Sequence, residues 1–383
     1  MKERLKLYLD KLKEYGGSDL HLSAGAKIHI RINADLHILG NEKLTNEEMI
    51  EIAKKILPTG KYDELVEAEE FDCSYALYDG RRFRVNFFYQ VDGLSAVIRN
   101  IPKNILSLDE LHLPPVVKNL ADLNHGLVLI TGVTRSGKTT TLAAIIDRIN
   151  QNRKKHIITI EDPIEYVHEN IKSLVSQRAV GINTRSFANA LRSALREDID
   201  VVMVGELRDL ETVRMAIDAA NTGHLVFATL HTHDAKESIN RIIGMFPKEE
   251  QDHVRMTLSF VLDGVVSQRL IDTLDEGRTL AVEVMIRTSR IAELILENRD
   301  NEILEMMIRG KETYGSQSFD QSLLDSYNQG KISKEEALKN ATVPSDLKLM
   351  IQESEQVSRD GKVFDKETVS ENFIDLKSSS NEE

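Results

Sequence analysis

The sequence predicts an α/β protein: an N-terminal α+β unit with an antiparallel sheet, then a domain built on a mostly parallel sheet and closed by C-terminal helices. Three observations carry this. Apolar and polar residues alternate through much of the first hundred positions. From about Leu111 strand and helix patterns take turns, and the segment "GVTRSGKTTTLAA" (132–144) stands just behind the buried-looking run "GLVLI".

Leu5, Tyr8, Leu9 and Leu12 recur at helical spacing, so the chain opens with a helix. The pattern then changes to period two in "SDLHLS", "KIHIRIN", "RRFRVNFFYQ" and "LSAVIRNI". Between these, "TNEEMIEIAKKIL" places Thr45 and Glu48 at capping-box spacing and stops at Pro58, predicting one helix. Past Leu111 the order is "GLVLI", a helix carrying Leu142, Ile145, Ile146 and Ile149, then "HIITI", then a helix carrying Phe187, Leu191, Ala194 and Leu195. "DVVMV", a third helix and "HLVFATL" follow. Such alternation implies right-handed crossovers and helices on both faces of the sheet. After "VVSQRL" and "AVEVMI" come short helices at 289–309, 316–329 and 333–340, the last opening with Ser333 and Glu336 as a second capping box. The expected boundaries are 1–100, a linker at 101–112, 113–350, and an acidic, Ser-rich tail at 351–383 with too few apolar residues to fold alone.

Composition removes several function classes. The single cysteine, Cys73, excludes a disulfide framework and a zinc site of three or four cysteine ligands, and reads as a core residue in a reducing, cytoplasmic setting. The N-terminal residues lack a secretory apolar core, and nowhere do eighteen apolar residues run together, so neither export nor a transmembrane segment is expected. A formal charge of −13 has the wrong sign for a protein that coats nucleic acid.

A chance match to Gly-x4-Gly-Lys-Thr in a chain of ordinary glycine content is on the order of one in a hundred, and the flanking strand and helix lower it further. The nucleotide-contacting set is Gly132, Val133, Thr134, Arg135, Ser136, Gly137, Lys138, Thr139 and Thr140. Backbone N–H groups from Gly132 to Thr139 would converge on the β-phosphate of ATP, aided by the partial positive charge of the helix N-terminus. Lys138 would reach the β- and γ-phosphates, and the Thr139 hydroxyl would take one place on Mg²⁺. The hydroxyls of Thr140 and Thr141 read as ordinary first-turn groups. Arg135 is unusual inside such a loop and is tolerable where its side chain points out to solvent, with contact to nucleotide or a neighbouring subunit as the alternative.

Two further strands end in acid: "HIITIED" at Glu161 and Asp162, and "DVVMVGE" at Glu206. In a parallel sheet those ends face the ligand crevice. Orienting the attacking water and holding Mg²⁺ both need carboxylates, and Glu161 and Glu206 can divide the two tasks either way. His224 and His231 flank one strand. His231, at its C-terminal end, is placed to sense the γ-phosphate or to bond a catalytic carboxylate, whereas His233 reads as structural. Arg82 and Arg84 share one strand face opposite Phe83 and Val85. They are either a solvated face or arginine fingers on the transferring phosphoryl, with Arg99 a weaker candidate.

With these residues in place, the chain resembles the type II/IV secretion ATPase superfamily, and within it the retraction ATPases of type IV pili (the PilT family). The resemblance rests on "SDLHLSAG", "RFRVN", the phosphate loop, "TIEDPIEYVH", "LRSALREDIDVVMVGELRD", "TGHLVFATLHT" and "VSQRL", covering about residues 15–340. It implies a PAS-like N-terminal domain, a RecA-like P-loop ATPase domain and a homo-hexamer. The family's Walker A then falls on Gly132–Thr139, its Asp box on Glu161 and Asp162, its Walker B on Gly205 and Glu206, and its His box on His224–His231. It further implies Mg²⁺-dependent ATP hydrolysis, arginines of the first domain reaching the nucleotide, and an inner-membrane platform protein as partner. The expected work is pilus retraction from the cytoplasmic face of the inner membrane. Pilus-extension and type II secretion ATPases carry a tetracysteine segment that one cysteine cannot build. The segment "RIAELILE" (290–297) replaces the "AIRNLIRE" usual in retraction ATPases, keeping the apolar face without its arginines. The rival readings are an extension or secretion ATPase, an accessory retraction subunit with weak turnover, and a RecA-like nucleic-acid motor.

Overall fold

The computed structural model describes residues 2–32, 35–101 and 104–360. The chain divides into two compact units. The first takes in the described residues up to Ile105 together with Thr159–Glu169 and Val175–Ala190. The second takes in Leu106–Ile158, Asn170–Leu174 and the described residues from Leu191 onward.

In the first unit the order is α1 (Lys2–Glu14), β1 (Asp19–Ser23), β2 (Lys27–Ile32), β3 (Asp35–Lys43), α2 (Asn46–Ile56), α3 (Lys61–Ala68), β4 (Glu70–Ala76), β5 (Arg82–Gln90) and β6 (Gly93–Ile101). The strands form one six-stranded sheet in the order β3-β2-β1-β6-β5-β4, and every pairing is antiparallel. The alternating residues Leu20, Leu22, Ile28, Ile30, Phe83, Val85, Phe87 and Ile98 face Leu5, Leu9 and Leu12 of α1 and Met49 and Ile52 of α2 in one core. Cys73 is fully buried there, and burial pushes its thiol up to about 12. Helix α2 begins with the expected reciprocal cap: Glu48 N–H donates to Thr45 Oγ1, and Thr45 N–H donates to the Glu48 carboxylate. Edge strand β3 escapes sequence periodicity because nearly all of its residues are exposed, which leaves no buried face to alternate.

The remaining elements are α4 (Val116–Ala121), β7 (Gly126–Thr131), α5 (Lys138–Asn152), β8 (His156–Glu161), β9 (Leu174–Ala179), α6 (Phe187–Ala194), β10 (Val201–Val204), α7 (Leu210–Asn221), β11 (Leu225–Leu230), α8 (Ala235–Gly244), α9 (Lys248–Val261), β12 (Leu262–Asp272) and β13 (Arg278–Ile286). The C-terminal helices are α10 (Ser289–Leu296), α11 (Ile303–Arg309), α12 (Lys311–Tyr314), α13 (Phe319–Asn328), α14 (Lys334–Asn340) and α15 (Pro344–Asp360). The second sheet has seven strands in the order β13-β12-β7-β11-β10-β8-β9. β11 runs parallel to both β7 and β10, and β12 runs parallel to β7, whereas β13 returns antiparallel to β12. This is the mixed α/β, parallel-rich architecture the strand and helix alternation predicts. β7 and β11 are buried along their whole length, as unbroken apolar runs in a covered parallel sheet must be.

Two local readings need correction. Ser333 caps α14 by accepting Glu336 N–H, but the Glu336 carboxylate turns to Lys339 and Asn340, so only half of the capping box forms. Helix α15 continues to Asp360, so residues 351–360 of the expected tail are helical, because Leu347 and Ile351 anchor the helix in a core with Phe319 and Leu323. The rest of that tail, 361–383, lies outside the described residues. Among the described residues no helix is long and apolar enough to cross a membrane.

Candidate functional site

The loop between β7 and α5 is built around two glycines with left-handed backbone. Gly132 has φ 142°, and a Cβ there would lie 2.5 Å from both Gln268 O and Ser136 Oγ, so no side chain fits. Gly137, with φ 92°, turns the chain into α5. The Ser136 hydroxyl is buried without a hydrogen-bond partner among the described residues. Lys138 is also buried, and its ammonium donates to the loop's own carbonyls, Gly132 O at 2.7 Å and Val133 O at 2.9 Å. Burial lowers its pKa, opposed by the charge of Glu206. An unpartnered hydroxyl and an ammonium held only by neutral carbonyls suit an incoming anion. Val133, Thr134 and Arg135 are exposed, whereas Thr139 and Thr140 are half-buried at the first turn of α5. Arg135 has φ 69°, a conformation that favours glycine and that no spacing rule reveals.

β12 supports the loop from beneath. Thr131 Oγ1 donates to Ser267 Oγ at 2.9 Å, and Gln268 Nε2 donates to Thr141 Oγ1 at 2.7 Å. Thr141 is therefore a buried tie between helix and sheet rather than an ordinary first-turn residue. The available signal was the polar pair Ser267-Gln268 inside a buried strand.

Glu206 follows β10, and its loop is held to β11 by Leu207 N–H donating to Thr229 O and by the Thr229 hydroxyl donating to Gly205 O. One carboxylate oxygen lies 3.2 Å from His231 Nε2, and the other lies 2.8 Å from Arg208 Nε. Spacing does not single out Arg208, which stands near the end of the segment "LRSALREDIDVVMVGELRD". His224 sits against Ala219 O and Thr222 at the end of α7, and His233 against Glu237 in α8, so both are structural.

Glu161 ends β8, a neighbour of β10 in the sheet, and belongs with the first compact unit. It is buried and accepts from Thr159 Oγ1 at 2.7 Å, Glu165 N–H at 3.3 Å and Gln177 Nε2 at 3.3 Å. Burial pushes its carboxyl up to about 7 against these bonds. In the same unit Arg82 and Arg84 share the β5 face opposite buried Phe83 and Val85. Arg84 lies 3.4 Å from Glu165 Oε1 and 3.7 Å from Asp72, while Arg82 has no ion pair among the described residues. Arg99 donates to buried Asp19 at 2.7 Å, which makes it a tie between β6 and β1. Among the described residues no group of three or more His, Cys, Asp or Glu side chains could hold a metal ion.

Comparison with known proteins agrees with this geometry. The profile of the type II/IV secretion system protein family matches residues 9–276. The chain is 44% identical over 332 residues to the type IV pilus retraction ATPase PilT of Pseudomonas aeruginosa, covering 87% of this chain and 96% of that protein. To the type IV pilus ATPase PilU of the same organism it is 40% identical over 341 residues, 88% of each chain. Among solved structures, the pilus retraction motor PilT with bound ADP matches with a TM-score of 0.82 at 44% identity, covering 89% of this chain and 97% of that one.

Proposed function

The chain belongs to the type II/IV secretion system protein family, and from that premise we propose that it is an ATP-hydrolysing motor that powers type IV pilus retraction and hence twitching motility. In this reading it works as a ring of six subunits at the cytoplasmic face of the inner membrane, pulling through an integral platform protein. Each subunit pairs a PAS-like domain (1–100) with a RecA-like domain (113–350) across a linker (101–112), with a tail beyond.

One observation carries the chemistry: the buried Lys138 ammonium and the unpartnered Ser136 hydroxyl share a glycine-shaped loop whose lysine feels the Glu206 charge. On nucleotide binding Lys138 exchanges its two carbonyl bonds for phosphate oxygens, and the loop N–H groups from Gly132 to Thr139 hold the rest of the phosphate chain. Mg²⁺ bound with ATP would neutralise charge on the β- and γ-oxygens. The Thr139 hydroxyl, Glu206 and Glu161 are the side chains for it, a sparse set that suits an ion keeping phosphate and water ligands. Glu206, aimed by His231 and Arg208, would accept a proton from the attacking water or help hold Mg²⁺, and Glu161 would take the other task. Arg82, free of ion pairs among the described residues, and Arg84, loosely paired with Glu165 at 3.4 Å and Asp72 at 3.7 Å, supply positive charge to the transferring phosphoryl.

The single cysteine favours retraction over an extension or type II secretion ATPase. The charge of −13 disfavours a nucleic-acid motor, which would show DNA-stimulated, steeply salt-dependent turnover. The remaining rival reading is an accessory subunit with weak turnover. Phosphate release by the purified chain separates the two, and sizing with a non-hydrolysable ATP analogue tests the ring. A deletion strain with excess pili is expected; an unpiliated strain would mean extension.

A further inference from the structure

Beyond the catalytic groups, one buried acid bears on the loop that carries His231. Glu283, on β13, is 5% exposed, and its Oε1 accepts the N–H of Ala235 at 2.8 Å. Ala235 is the first residue of α8, immediately after the turn His231–Asp234. Apart from the approach of His231 to Glu206, the turn's other side-chain bonds among the described residues run to its own helix. The Thr232 and Ser238 hydroxyls lie 2.6 Å apart, His233 pairs with Glu237, and Asp234 caps α8 by accepting Glu237 N–H. Glu283 thus supplies a bond from the sheet, 48 residues away in sequence, to the loop that aims His231 at Glu206.

The far side of Glu283 is equally specific. Arg269 of β12, Asp234 at the N-cap of α8 and Asp320 of α13 are the charged groups that act on it. Arg269 stacks 3.8 Å over the Phe319 ring of α13 and donates to Asn340 O at the end of α14. The β12–β13 hairpin therefore joins helices α13 and α14 on one side to the His231 turn on the other.

We propose that Glu283 is a positioning residue for ATP hydrolysis, holding the His231 turn, through its bond to Ala235 N–H, in the register that orients Glu206. The role rests on the reading of Glu206 and His231 as catalytic groups. It requires an acceptor at position 283 and a donor at position 235, and no contact with nucleotide.

The test compares Glu283→Ala, Glu283→Gln, Ala235→Pro and the Glu283→Ala/Ala235→Pro double variant in the full chain, with wild type and Glu206→Gln as references. Proline is tolerated at the first position of a helix, and extended Asp234 suits a following proline, so Ala235→Pro removes the donor and sets a ring Cδ where its hydrogen faced Glu283. Phosphate release gives kcat, and titration with ADP gives affinity. Glu283→Ala and Ala235→Pro are expected to lose about tenfold or more in kcat, as displaced catalytic geometry does, with ADP affinity within about twofold. Glu283→Gln, which keeps the acceptor, stays near wild type, and the double variant is no worse than the worse single one, because both remove the same bond. If thermal melting shows Glu283→Ala unfolded, Ala235→Pro and Glu283→Gln carry the comparison. Full turnover in Ala235→Pro, or losses that multiply in the double variant, would overturn the role while leaving Glu206 in place. A wild-type chain without turnover would remove the catalytic reading itself, and this role with it.

Discussion

His231 Nε2 lies 3.2 Å from one oxygen of Glu206, and Arg208 Nε holds the other oxygen at 2.8 Å. A carboxylate engaged on both oxygens by groups from two different loops has little freedom to rotate, which is what aiming a water or a metal-bound water requires. Glu206→Gln should therefore lower kcat by about a hundredfold or more while ADP affinity stays within about threefold. His231→Ala, which loses only orientation, should cost less. Wild-type turnover in Glu206→Gln would remove this carboxylate from the mechanism.

The phosphate loop makes unequal demands on its glycines. A methyl group at Gly132 would meet a backbone carbonyl and a buried serine at 2.5 Å, whereas one at Gly137 would meet only Leu280 at 3.4 Å. Gly132→Ala should abolish nucleotide binding and destabilise the chain by roughly 1–3 kcal/mol. Gly137→Ala should cost less, mainly through its positive φ. Titration with a fluorescent ADP and thermal melting compare the two, and the reverse ranking would contradict the loop geometry.

Arg135 pays a conformational penalty at φ 69° while its side chain is exposed. Replacing it with glycine should raise stability by about 1 kcal/mol, the cost of holding an L-residue in the left-handed region. ATP affinity and turnover should stay unchanged. A drop in affinity would show instead that the guanidinium touches nucleotide or a neighbouring subunit.

Burial raises the Glu161 carboxyl from its ordinary 4.5 to about 7, so between these values the folded chain binds more protons than the unfolded one. The stabilisation from this group is full below about pH 4.5 and is lost as pH rises through about 7. Between pH 5.5 and 7.5 it should amount to about 2 kcal/mol. Chemical denaturation of the nucleotide-free chain at the two pH values should show a smaller decline for Glu161→Gln than for wild type. An identical decline would place the Glu161 pKa at its ordinary value.

The legible parts of this protein are those written within a few residues of one another. The Thr45 cap, the helix stripe of Leu5 to Leu12, the buried runs of β7 and β11, and the Gly132–Thr139 loop depend on helical pitch, strand pleat and the absence of a Cβ, all of which act locally. Their order along the chain also dictates the parallel-rich sheet. Tertiary structure alone decided which distant groups meet. Gln268 reaches Thr141 across 127 residues, Arg99 finds Asp19 across 80, and Glu283 finds Ala235 across 48. Strand order and register bring each of these pairs together, and neither is encoded in spacing. The same holds where a local rule failed: the Glu336 carboxylate accepts from Lys339 and Asn340 instead of closing the cap it was spaced to complete. Sequence determined which groups are available at the candidate site, and long-range packing of buried polar groups decided how firmly each is held there.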